Sequence, residues 1–210
     1  FLTAAFLSVS GGLQDAYTYI FRGKVFANAQ TGNILLLGIN ISERNWHMAL
    51  HYLVPVLAFA IGIALADLVK IRTKDLTLLH WRQISVFCEA VILLSVSFIP
   101  QDFNLVANAL TSLACGIQVE SFRKIHGNGI ATTMCIGNLR SGTAALSMYM
   151  RDKKKEQLRQ AGYYFGVILA FAIGAGIGGV FSMLYGIHVI WISCGLLLVS
   201  FLLMSLEKYR

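Results

Sequence analysis

The chain has 210 residues, 57% of them apolar and only 13% charged, against roughly a quarter charged in a soluble domain. With a mean hydropathy of +0.68, this composition excludes a water-soluble globule and predicts an all-α integral membrane protein. The net charge of +7 comes from bases scattered through short loops between apolar runs, which reports orientation in a bilayer and speaks against a nucleic-acid surface.

In chain order, residues 2–21 form the first predicted span. Residues 25–42 (VFANAQTGNILLLGINIS) follow, apolar but interrupted by Asn, Gln, Thr and Gly. Clear spans come next at 46–69, 83–99 and 104–122. A second interrupted stretch, 129–150 (GIATTMCIGNLRSGTAALSMYM), precedes spans at 160–184 and 187–206. The six clear runs are each near the ~17–25 residues that a bilayer requires. The opening residues lack the basic region of a cleavable signal, so the first run is expected to be a span.

Lys and Arg decide between six and eight crossings, because in short loops they gather on the cytoplasmic side. Eight crossings divide the bases evenly. Six leave Arg22, Lys24 and Arg44 on one face and the other fourteen of the 17 on the opposite face, with both termini in the cytoplasm. The bias favours six, with 25–42 and 129–150 as re-entrant segments that turn back inside the membrane.

The same six letters, LAFAIG, occur at 57–62 and 169–174. Shifted by 105 residues, GLQDAYTYIFRGKVFANAQTGN (12–33) falls ungapped on IQVESFRKIHGNGIATTMCIGN (117–138). Asp15 then meets Glu120, and Gly32-Asn33 meets Gly137-Asn138. After seven extra residues the shift becomes 112, Tyr52 meets Tyr164, and the two LAFAIG strings coincide. The chain is therefore read as a duplication with halves 1–100 and 103–210. Three spans per half is an odd number, so the halves enter from opposite faces as inverted repeats.

Backbone that is not helical at membrane depth must line protein or a wet cavity. Thr31, Gly32 and Asn33, with Gly137 and Asn138, suit the starts of half-helices, where side-chain oxygens cap free N–H groups. Arg140 lies about one turn beyond Gly137, so a helix terminus and a full positive charge point to an anionic or carboxylate-bearing solute. Asp15, Glu120 and Glu89 are the acids available for proton coupling. Each has a plainer reading. The Gly-Asn pairs can simply permit turns, Glu120 can pair with Arg123 or Lys124, Glu89 needs a partner or a proton at its depth, and Arg140 can be that partner.

Cys88, Cys115, Cys135 and Cys194 stand singly in apolar stretches and read as small core residues; the five histidines form no ligand pattern, so neither metal nor cofactor is expected. Glycines of GAGIGG (174–179) permit close helix contact inside the bundle, and a homodimer stays open. Trp46, Trp81, Tyr163, Tyr164 and Tyr185 are expected at the interface, and RDKKKEQLR (151–159) as a solvated loop against anionic lipid.

GGLQDAYTYIFRGKVFANAQTGNILLLG (11–38), with ESFRKIHGNGIATTMCIGNLRSG (120–142), resembles the YoaK family of bacterial membrane proteins over essentially the whole chain. Ile136 stands where the family's second stretch often has Thr. The resemblance implies a six-span inner-membrane protein of undetermined activity. The residues themselves predict a small secondary transporter for an anionic solute, with a channel, a scaffold or sensor subunit, and a membrane enzyme as competitors. No nucleophile with its base is visible for the last.

Overall fold

The computed structural model describes residues 1–73, 80–123 and 129–208, and the described residues are helical apart from their connections. In chain order these are α1 (Leu2–Phe21), α2 (Gln30–Ser42), α3 (Trp46–Arg72), α4 (Trp81–Val96), α5 (Asn104–Ser121), α6 (Cys135–Asp152), α7 (Lys155–Tyr185) and α8 (Ile190–Lys208). Each of the six clear apolar runs falls on one helix. A chain without water around it must satisfy its N–H and C=O groups internally, and helices do this within one segment. By length and composition, α3 and the stretch Lys155–Leu206 are apolar enough to cross a bilayer.

Packing follows one plan twice. α1 lies against α7 and α8, while α5 lies against α3 and α4; α2 leans on α3, and α6 leans on α7. Matching α1–α4 to α5–α8 turns each of these contacts into another member of the set, and the α4–α8 contact into itself. Leu13, Leu93, Ala107 and Leu197, one from each of α1, α4, α5 and α8, share the fully buried central core.

The repeated LAFAIG strings occupy the tightest crossings. A Cβ on Gly62 would collide with the Leu113 carbonyl, and one on Gly116 with the Phe59 carbonyl; across the other pair, Gly174 meets the Val9 backbone and Gly12 the Phe171 carbonyl. Thus the Phe and the Gly of each string (Phe59 with Gly62, Phe171 with Gly174) seat the first helix of the other half backbone to backbone. Gly178 also faces inward, against Ala16, whereas Gly176 and Gly179 face open space.

Several expectations change. The 151–159 run is not a loop: α6 continues to Asp152 and α7 begins at Lys155, with Lys153 in the left-handed conformation (φ 54°) between them. Tyr164 is no interfacial anchor, because it is buried with Ile130 and Val167. Its counterpart Tyr52 is buried too. Cys88 is exposed, unlike the buried Cys115 and Cys194.

Arg22 departs most from its expected place as a loop cation. It is fully buried, and its guanidinium donates to the carbonyls of Val96 (3.0 Å) and Pro100 (3.3 Å), to Asn104 Oδ1 (3.2 Å) and to the Tyr17 hydroxyl (2.8 Å). A cation on helix C-terminal carbonyls is favourably placed, since those groups carry the negative end of the helix dipole.

Candidate functional site

Gly23 (φ 83°) and Lys24 (φ 62°) end α1 by turning the chain through the left-handed region. The connector then doubles back along the helix it has just left. Asn28 donates its N–H to Asp15 Oδ1 (2.7 Å) and its side-chain amide to the Gly11 carbonyl (3.1 Å). Gly11 is ten residues before the end of α1, so α2 starts roughly 15 Å back along that axis. From the other half Thr133 arrives at the same level, its methyl group occupying the place where a Gly11 side chain would stand.

The two Gly-Asn pairs act differently from the capping role expected of them. α2 begins at Gln30 and α6 at Cys135, before either pair, and neither helix start has a side-chain cap. Asn33 instead reaches back seven residues: its Oδ1 accepts from Phe26 N–H (3.0 Å), and its Nδ2 donates to the Phe26 carbonyl (2.7 Å) and to Gln30 Oε1 (2.9 Å). Asn138 likewise reaches seven residues back, donating to the Ala131 carbonyl (2.6 Å). Both asparagines are buried and lock the incoming strand of connector onto the first turn of its helix. Gly32 leaves room for the Phe26 ring, which a Cβ would strike at 2.7 Å. Asn33→Ala should lower unfolding free energy by about 2–3 kcal/mol and Asn138→Ala by about half as much, since fewer bonds are lost; thermal melts of the purified variants check the ranking.

Between the two connectors lies a cavity of about 340 Å³. Its wall is built from matched positions: Asn28 with Thr133, Ala29 with Met134, Gln30 with Cys135 and Thr31 with Ile136, each pair 105 residues apart. Phe59 and Phe171, from the two LAFAIG strings, complete it together with Gly137. The first turns of α2 and α6 both border this space without a side-chain cap, and in α2 the Gln30 and Gly32 N–H groups bond the Asn28 and Ala29 carbonyls. Phe59 is at the middle of α3, which places the cavity at half the height of the bundle.

Of the residues expected to bind solute, Thr31 and Gly137 are on the wall, whereas Gly32, Asn33 and Asn138 stand behind it as loop supports. Arg140 is exposed and off the wall, one turn outward on the helix face that carries Ile136 and Gly137. Asp15 is beneath the wall, joined to it through Asn28. Glu120 pairs with Arg123 at 3.2 Å, its plainer reading. Glu89 takes one hydrogen bond from Gln14 (3.0 Å), and its second oxygen is buried without a partner. Gln14 Nε2 also lies within bonding distance of the Ser10 and Ser193 hydroxyls (3.0 and 3.2 Å), sharing its second hydrogen between them, and its Oε1 accepts from the Cys115 thiol (2.8 Å), so this acid ends a buried polar chain through α1, α5 and α8. Asn28, Gln30 and Phe171 were not singled out from sequence; their positions in the aligned repeat carried the only signal.

The family described as "Protein of unknown function (DUF1275)" matches residues 3–203. The chain belongs to the DUF1275 family. A relative, "UPF0700 transmembrane protein YoaK" of Bacillus subtilis (strain 168), is 26% identical over 218 residues, covering 96% of this chain and 94% of its own length. No solved structure matches. This DUF1275 member is thus a YoaK-like helical membrane protein, and the cavity between its two connectors is its candidate site.

Proposed function

We propose that this DUF1275 protein is a small secondary transporter of the inner membrane, built as two inverted three-span repeats with both termini cytoplasmic. The doubled-back connectors with α2 and α6 are its two re-entrant segments. A small anionic or carboxylate-bearing solute binds in the cavity at mid-height, which is bordered by the N-termini of the two helices, the positive ends of their dipoles. The observation that carries this reading is the cavity itself, walled by equivalent residues of both halves. Rocking one half against the other would expose that wall first to one face and then to the other. Thr31 and Gly137 touch solute in this scheme, Gly32, Asn33 and Asn138 hold the connectors in shape, and Arg140 attracts the anion from one turn outside. The buried acids Asp15 and Glu89 are available to hold the coupling ion, with Glu89 the better placed for a proton because its neighbours are hydroxyl, thiol and carboxamide groups that form a chain.

Uptake by proteoliposomes tests the proposal. Gly137→Trp fills the wall with no neighbour to displace and should reduce uptake of carboxylate metabolites at least about tenfold, as expected when a binding centre is blocked. Arg140→Ala should weaken uptake in a manner that rising salt mimics. Equal uptake by Gly137→Trp and the parent overturns the site, and salt-independent, unchanged uptake by Arg140→Ala overturns the anion assignment.

A further inference from the structure

We infer that Asp15, Asn28 and Thr133 form a binding site for a small monovalent cation, Na⁺, beneath the solute cavity; this rests on the transporter reading and names its coupling ion. Gly11 and Asp15 are one turn apart on the same face of α1, and Asn28 bridges them, its N–H on Asp15 Oδ1 (2.7 Å) and its Nδ2 on the Gly11 carbonyl (3.1 Å). Those bonds fix the Asn28 carboxamide so that its Oδ1 is left buried with no donor. Thr133, packed on Gly11 from the opposite connector, has its Oγ1 buried and unpartnered as well.

The two orphaned oxygens belong to positions 105 residues apart, and both side chains pack against Gly11 at the middle of α1, Asn28 through its Nδ2 and Thr133 through its methyl group. All three side chains are more than nine-tenths buried. No Lys, Arg or His among the described residues pairs with Asp15. Buried oxygens without donors are costly, and a hard cation satisfies several at once. A single carboxylate among neutral oxygens balances one positive charge, whereas Ca²⁺ takes six to eight oxygens with several carboxylates and Mg²⁺ keeps its waters. Backbone that leaves the helical path at membrane depth is also where transporters of inverted design seat Na⁺. Because Asn28 belongs to both the cation site and the cavity wall, occupancy below would fix the wall above.

The test uses the purified full chain in detergent, exchanged into choline chloride and titrated with NaCl, KCl or further choline chloride at constant ionic strength. Unfolding is followed by tryptophan fluorescence. Na⁺ should raise Tm by about 4 °C more than K⁺ or choline does, the size expected for a ligand well above its Kd. Thr133→Val keeps the shape and removes an oxygen that has no protein partner, so its Tm in choline should match or exceed the parent's while the Na⁺ increment disappears. Asp15→Asn should also lose the increment. Identical shifts with all three salts, a larger shift with K⁺, or an undiminished Na⁺ response in Thr133→Val would each overturn the site. None of these results touches the uptake of Gly137→Trp, and failed uptake with an intact Na⁺ shift would remove the transporter reading alone.

Discussion

Gly12→Ala and Gly174→Ala should each destabilise the protein by about 3 kcal/mol or more, the upper end of what an extra methyl in a packed core costs. At both positions the added carbon meets backbone of the facing helix, Phe171 and Ala175 for Gly12 and Val9 for Gly174. Side chains can rotate away, but backbone cannot, so α1 and α7 would have to separate along their whole contact. Gly176→Ala and Gly179→Ala provide the contrast. They lie on the same α7, face open space, and should change stability by less than about 1 kcal/mol, with helix propensity favouring the alanine. Thermal melts of the four variants decide the matter; if the inward pair melts with the outward pair, the crossing is looser than described. Gly62→Ala and Gly116→Ala should repeat the loss at the α3–α5 crossing.

Arg22→Met should cost about 3–5 kcal/mol, the range for removing one partner of a buried charged network. The Met side chain fills much of the space yet leaves the Val96 and Pro100 carbonyls, Asn104 and Tyr17 without their shared donor. Arg22→Lys should recover less than half of the loss, because a lysine ammonium cannot reach four acceptors from one planar fork. A melting temperature within a degree of the parent for Arg22→Met would show that the end of α4 does not depend on this contact.

The helices were legible in the sequence because they are written in regular patterns. Apolar runs of spanning length have few structural solutions. The LAFAIG strings were visible as letters, but their purpose was not, since closeness of two backbones depends on which helix faces them. Asn33 and Asn138 misled for a local reason: an asparagine near a helix start usually caps it, and the longer reach to Phe26 and Ala131 depends on a connector that returns beside its own helix. Arg22 looked like any loop cation beside Lys24, and only the packing of the α4–α5 corner against α1 buries it. Tyr164 shares its composition with interfacial tyrosines, yet the second connector covers it. Arg140 was one turn from Gly137 as spacing required, and the direction of its side chain was set by packing that no spacing encodes.

The paired walls of the central cavity share a backbone plan but not a chemistry. Where one connector contributes Asn28, Gln30 and Thr31 to the lining, the other contributes Thr133, Cys135 and Ile136, with Met134 beside them. A guest held there would lie with its hydrophilic end towards the amino-terminal half and its greasy end towards the other. In the transport cycle proposed above, that lopsidedness makes the two orientations unequal in energy, so the resting one is chosen by four or five side chains and not by the scaffold.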